Sequence, residues 1–276
     1  MANFKDLKSF TYPLTPTGRS SLLGDYPWHY GTEYINIAYR TDPEKIAAWL
    51  PKPLELSNRN PDIAYVAFSK WWSVWEDCKE MAYINPERTQ YKEAAVWVGC
   101  SFKGQEGQIC LPIWVDNDFT MARGWMMGFY KKLGQIYITD YNPRNPAMPA
   151  EGPGVKLKGI VSAHGERLIE GSIEIEKKIA REELPKPMGL PLFHIRHYPS
   201  IIPGEKPAVC ELVKLGAEDW RYDDTIWAGR GTLKFYESEI EEHMDFKPIE
   251  IIGAYRFRNG YTFPGAERLY DWNKEN

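Results

Sequence analysis

The sequence predicts an α+β fold that is mostly antiparallel β, a closed or nearly closed barrel or cone carrying a few short helices. Three observations lead there. Polar and apolar residues alternate with period two through many short runs of the 276 residues. Gly, Pro, Asn and Asp clusters separate those runs at hairpin spacing. Helical spacing with start and stop signals occurs only in brief stretches. No repeat with a period of roughly 20 to 50 residues is present, and no shift in composition marks a boundary, so a single domain over 1–276 is expected.

In order, residues 1–28 are polar, carry Pro13, Pro16 and Pro27, and read as an extended arm laid over the body or a partner subunit. Residues 33–39 alternate as a strand, with Tyr34, Asn36 and Ala38 on one face and Ile35, Ile37 and Tyr39 on the other. A helix follows. Either Thr41 caps it with Glu44 as capping-box partner, or Asp42 caps it with Pro43 at the first helical position; Pro51 and Pro53 end it. Residues 63–75, rich in aromatic and β-branched side chains, read as a strand. Residues 91–102 and 108–115 flank a turn at 103–107 and form a hairpin. Residues 118–127 are a helix capped by Asn117 or Asp118 and broken at Gly128.

Residues 135–139 are a short strand, and Pro143, Pro146, Pro149 and Pro153 mark a long loop. Residues 155–163 pair with 168–178 across His164-Gly165-Glu166. Strands follow at 192–202 and 209–214, split by Pro203-Gly204, and then at 226–236 and 249–257. Residues 237–245 read as an acidic helical turn and 264–272 as a short terminal helix.

Composition narrows the function. The net charge is −4 with no basic block, so nucleic acid is not an expected partner. No apolar run reaches membrane-spanning length and the first ten residues have no signal-like apolar core, so no membrane is expected. Cys78, Cys100, Cys110 and Cys210 form no C-x-x-C pair, which points away from zinc and from a disulfide framework and toward a reducing cytoplasm. His194 and His197 sit three apart on a strand, on opposite faces, so no metal site is expected there. The 11 Trp and 17 Tyr are expected in an aromatic core and subunit interface, or lining an apolar pocket. Glu170, Glu174 and Glu176, Asp223-Asp224 and Glu241-Glu242 read as solvated acids.

The stretch from Asp116 to Gly134 carries the chemistry. After the helix come Phe129-Tyr130 and two adjacent amines, Lys131 and Lys132. Burial and a neighbouring positive charge both favour a neutral, nucleophilic amine. A solvated pair complementing a helix C-terminus fits the same residues.

Motif order resembles the acetoacetate decarboxylase family. Its members carry Tyr/Phe-Pro-Lys-Lys-Leu-Gly at the end of a helix that follows Asp-Asn. Here Phe129-Tyr130-Lys131-Lys132-Leu133-Gly134 follows Asp116-Asn117. The segment from Glu33 through Asp42 is similar to the family's first strand and helix start, and Pro51-x-Pro53-Leu54-Glu55 follows. Cys210-Glu211-Leu212, Trp227-Ala228-Gly229 and Pro264-Gly265-Ala266-Glu267 then occur in the family's order.

The resemblance implies that Lys131 forms an imine with a small keto acid, that Lys132 is the neighbouring cation, and that Glu93, in Tyr91-Lys92-Glu93, is an acid/base or electrostatic group near the imine. It implies no metal, flavin or nucleotide, and a homo-oligomer. Departures from the pattern are specific. Thr32 stands where decarboxylases have arginine, Val66 aligns with a second active-site glutamate, Tyr130 replaces proline, and Gly124-Trp125 replaces Arg-Glu. Arg123 is the candidate for the missing guanidinium; Tyr130, Trp125 and His29 are expected to border the substrate. Decarboxylation of a β-keto acid is expected first. Aldol and dehydration chemistry on a pyruvate-like substrate, or a ligand-binding relative without catalysis, are the alternatives.

Overall fold

Strand β1 (Trp28–Arg40) shows how the sheet is organised. Its odd-numbered Ile35, Ile37 and Tyr39 enter one core, while Tyr30, Tyr34 and Ala38 pack in two others on the opposite face. Successive side chains of a strand point to opposite faces, and here both faces are covered. The computed structural model describes residues 3–223 and 225–274; Asp224, read above as solvated, lies outside them.

The further elements are α1 (Pro43–Ala48), β2 (Leu54–Leu56), β3 (Ile63–Trp75), α2 (Met81–Ile84), β4 (Gln90–Phe102), β5 (Gln105–Val115), α3 (Asp118–Met127), β6 (Lys131–Leu133), β7 (Gln135–Ile138), β8 (Lys156–Ala163) and β9 (Glu166–Ile179). Then come β10 (Leu192–Tyr198), β11 (Val209–Leu215), β12 (Glu218–Tyr222), β13 (Ile226–Phe235), β14 (Glu250–Phe263) and β15 (Ala266–Asp271). All strands join one sheet in the order β15-β11-β10-β5-β4-β3-β1-β14-β13-β9-β8-β7, with β12 on β14, β2 on β4 and β6 on β5. Pairing is antiparallel except β10–β5 and β5–β6.

The expected closure is only partly met, because this path has two ends. The sheet nevertheless curls far enough to pack on itself. Phe68 of β3 lies against Gly159 of β8, where a Cβ would come within 2.1 Å of its ring, and against Gly171 of β9. That contact joins Ile37, Val66, Phe68 and Val96 to Val161, Ile169, Ile173 and Phe235 in one buried cluster. Between β6 and β7, Gly134 N–H donates to the Val115 carbonyl at 2.8 Å.

Most elements fall where local chemistry places them. Asp42, not Thr41, caps α1, its side chain accepting from Glu44 N–H with Pro43 following. Asn117 caps α3. Residues 264–272 were expected to be helical; instead Ala266–Asp271 is strand β15, because its ladder to β11 overrides a weak helical pattern. β2, β6 and β12 are strands that local alternation did not announce. Within the N-terminal segment Leu23 is fully buried, and Arg88 donates to the Ser21 carbonyl. Glu241, expected in solvent, is buried and accepts from Trp114 and His164. Among the described residues no helix is long and apolar enough to cross a membrane.

Candidate active site

Register builds the site. On the face away from the largest core, Tyr34 of β1 pairs with Ser69 of β3, and Ser69 with Glu93 of β4. The next row is Asn36, Ala67, Ala95, Ile113 and Lys131, crossing β1, β3, β4, β5 and β6. Ala67, Ser69 and Ala95 are small where a large side chain would fill the space. Around them stand Tyr34, Tyr65, Trp71, Tyr91 and Trp97, and together with α3 and the segments before β10 and after β11 they enclose a cavity of about 770 Å³.

Lys131 enters this cavity from β6 and is 5% exposed. Its Nζ lies 2.9 Å from Glu93 Oε2 and donates to Thr120 Oγ1 at 2.9 Å. Glu93 is itself 4% exposed. Two features of α3 make room for the lysine. Gly128 ends the helix with φ of 93°, a left-handed conformation that glycine takes freely. One turn earlier, Gly124 lies against the lysine stem, so that a Cβ there would sit 2.3 Å from Lys131 Cδ. The Trp125 indole donates to the Lys131 carbonyl at 2.8 Å, fixing the backbone from outside.

The lysine pair is therefore on a strand and not on a helix exit, and this corrects the reading of Lys132. Adjacent strand residues face opposite ways. Lys132 turns from the cavity and bonds Glu241. Burial alone would raise the Glu241 carboxyl, but hydrogen bonds led by Lys132 hold it below the usual carboxylate range. The buried cation that shares the cavity with Lys131 is Arg123; Arg181, Lys214 and Arg258 also line it and are less buried. Arg123 is 2% exposed, packed over the rings of Trp28, Tyr30, Tyr91 and Phe119, and donates through Nη1 to Ser73 Oγ at 3.0 Å. Its Nη2 is buried with no protein partner. A helix position alone does not show which way such a residue points.

Tyr130, Trp125 and His29 do not line the cavity. Tyr130 and Trp125 are 37% and 49% exposed. His29 is held between Thr262 and Glu76. Val66 faces the large core; its neighbours Tyr65 and Ala67 take the cavity face, so a glutamate aligned to 66 is one residue out of phase with the site. Thr32 is buried. Tyr30, Tyr34, Tyr91 and Tyr261 were not singled out from the sequence, although the alternation from Tyr30 to Asn36 marks their face. Burial pushes all four phenols above their ordinary range, so they stay protonated donors.

Behind the site, His194 is fully buried, neither ring nitrogen has a partner, and its ring packs on Phe129 with centroids 4.0 Å apart. His197 is exposed on the other face. Burial, and then the Lys131 charge, pushes His194 down to about 3 from 6.5. The folded value lies below the unfolded one, so the unfolded chain takes up the proton first. This contribution to stability is complete above about pH 6.5 and is lost as pH falls toward 3. Between those limits it is worth on the order of 5 kcal/mol. Melting curves from pH 7 to 4 should fall less steeply for His194→Leu than for the parent; parallel curves would show that this imidazole carries no such term.

An antiparallel β protein that buries a lysine–carboxylate pair and a guanidinium in one aromatic cavity has the outline of an enzyme. A sequence model described as acetoacetate decarboxylase (ADC) matches residues 11–272, and the chain belongs to the acetoacetate decarboxylase family. The acetoacetate decarboxylase of Clostridium botulinum (strain Eklund 17B / Type B) is 24% identical over 269 residues, covering 97% of each chain. Among solved structures, the enduracididine biosynthesis enzyme MppR, complexed with the condensation product of pyruvate and imidazole 4-carboxaldehyde, aligns with a TM-score of 0.89. Its identity is 29%, with 99% of both chains covered. An acetoacetate decarboxylase-like enzyme from Sphingomonas wittichii RW1 aligns with a TM-score of 0.88 at 27% identity, covering 96% of this chain and 100% of that one.

Proposed function

We propose that the protein is a lyase whose Lys131 forms an imine with a pyruvate-like keto acid, and that it joins this substrate to an aldehyde by aldol condensation and dehydration. The observation that carries the reading is Arg123 in the same cavity as the Lys131–Glu93 pair, with a buried Nη2 free of protein partners. A decarboxylase releases its carboxylate as neutral gas, so a guanidinium fixed on that group stabilises the starting state more than the transition state. In a condensation the carboxylate stays bound from start to finish and gains from a permanent charge-assisted donor. The cavity of about 770 Å³ also leaves room for a second reactant beside a three-carbon acid. MppR, at 29% identity, is described with pyruvate joined to an aldehyde. Decarboxylation of a β-keto acid is the second reading, favoured by the relative from Clostridium botulinum over 97% of the chain.

In this reading Lys131 hands a proton to Glu93 across their 2.9 Å contact, the free amine adds to the ketone, and Glu93 returns the proton to the departing hydroxyl, so that water leaves and a protonated imine remains. Glu93 removes a methyl proton from the imine, giving an enamine. The enamine carbon bonds to the aldehyde carbon, and the resulting alkoxide takes a proton from Glu93 or a tyrosine. Loss of a second proton and of hydroxide as water forms the double bond, and hydrolysis frees Lys131. Incubation with pyruvate, an aromatic aldehyde and borohydride should place the adduct mass on Lys131, and without borohydride an unsaturated keto acid should accumulate. Rapid carbon dioxide release from acetoacetate with no condensation product would replace this reading by the second.

Arg123→Met should raise KM for pyruvate about 10- to 100-fold, the worth of a charged hydrogen bond, while borohydride trapping of acetone, which has no carboxylate, is kept. Loss of both would make Arg123 a structural residue. We further infer that the protein works in the reducing cytoplasm, in keeping with its four free cysteines, and as a homo-oligomer, in keeping with exposed Tyr83, Ile84, Ile201 and Ile249. A monomer mass by light scattering would count against the oligomer.

A further inference from the structure

The cavity has two ends with opposite hydrogen-bonding character. Along β1, Tyr30 stands at the Arg123 end and Asn36 at the other, six residues away, a span of roughly 20 Å in an extended strand. Tyr34, on the Glu93 row, lies between them. The Arg123 end offers donors.

At the far end, Asn36 is 3% exposed and its Nδ2 meets Met188 Sδ at 3.7 Å. A thioether has no hydrogen to give, so the amide NH₂ belongs on that side. The Asn36 carbonyl oxygen is then buried with no partner. Asn36 pairs directly with Ala67, which places Tyr65, two residues on, as its diagonal neighbour. The Tyr65 hydroxyl hydrogen is spent on Gln108 Oε1 at 2.7 Å, and Gln108 Nε2 gives one of its two hydrogens to the Leu190 carbonyl at 2.9 Å. All three side chains line the cavity. Two acceptors remain for a ligand there: Asn36 Oδ1 and the lone pairs of Tyr65 Oη. A buried acceptor left unmade is costly, and a ligand that supplies its hydrogen recovers that cost.

We infer that Asn36 and Tyr65 form a specificity subsite for a hydroxyl or N–H donor at the outer end of the aldehyde-derived half of the substrate. Asn36 on β1 stands two strands across the sheet from Glu93 on β4 and one row further along, roughly 12 Å in all, a span that a planar ring and its linking atoms fill. Trp97 and Met188 supply apolar walls for such a ring. Assigning the donor to the aldehyde-derived half rests on the condensation reading; the donor preference itself does not.

The test separates the two. Binding of 4-hydroxycinnamate and 4-methylcinnamate is measured by titration calorimetry on the full chain. The two are anions of one size, neither has a ketone for Lys131, and they differ only by hydroxyl against methyl at the end of the ring. The parent protein should bind the hydroxy compound about tenfold or more tightly over the methyl one, and Asn36→Leu should erase or reverse that preference. Asn36→Asp, which keeps an acceptor, should retain a preference if the leucine variant fails to fold. Equal binding by the parent, or preference for methyl, overturns the subsite. Borohydride trapping of pyruvate is run alongside. Its failure with the hydroxyl preference intact overturns the imine reading and leaves the subsite standing; success with no preference does the reverse.

Discussion

Lys131→Met is expected to lower turnover by a factor on the order of 10⁴ or more, the scale seen when a covalent nucleophile is removed. Methionine keeps the length and apolar stem of the lysine and removes only the amine, so packing against Gly124 and Phe129 survives. The same change leaves Glu93 buried without its 2.9 Å partner. Removing one member of a buried ion pair costs about 3–5 kcal/mol. A double variant, Lys131→Met with Glu93→Leu, should regain most of that stability while remaining inactive. Steady-state assays and urea melts of the three proteins check both halves. Turnover persisting in Lys131→Met, or an adduct mapped to Lys132, would move the nucleophile elsewhere.

Gly124→Ala should lower kcat/KM by about 100-fold, the scale of a misplacement near 1 Å at a reacting group. The added methyl would stand 2.3, 2.8 and 2.9 Å from Cδ, Cγ and Cε of Lys131. That stem has little freedom to yield, because its Nζ lies over the rings of Tyr91 and Phe129 and is bonded to Glu93 and Thr120. In the helix itself alanine gains about 1 kcal/mol over glycine. A lost activity with an unchanged or raised melting temperature would therefore report the displaced amine and not a broken helix. An unchanged kcat/KM would show that the stem has room to move.

Strand β1 was legible from its alternation, β3 from its aromatic and β-branched content and β4 from the turn that joins it to β5; the helix starts near Asp42 and Asn117 were legible to within one residue because cap signals lie close to them. β6 was not legible. Three residues cannot display a period, and their strand conformation comes from a parallel ladder with β5. That one miss turned Lys132 into an apparent neighbour of Lys131, although its partner Glu241 lies more than 100 residues on. Lys131 and Glu93 could be named from motifs. The burial of Arg123, the orphan carbonyl of Asn36 and the distance of His29 from the cavity depend on which strands meet across the sheet, which no local stretch records.

The alternation of faces along β3 and β4 has an evolutionary consequence. Residues 65, 71, 91 and 97 shape the cavity, while their sequence neighbours 64, 66, 68, 96 and 98 are enclosed in the large core. Substitutions that share no partner combine additively, so the substrate range can drift through single changes on one side of these strands while the other side is held by selection for folding. Randomising 36, 65 and 97 together, with 66, 68 and 96 untouched, would sample that range from a fold that stays intact.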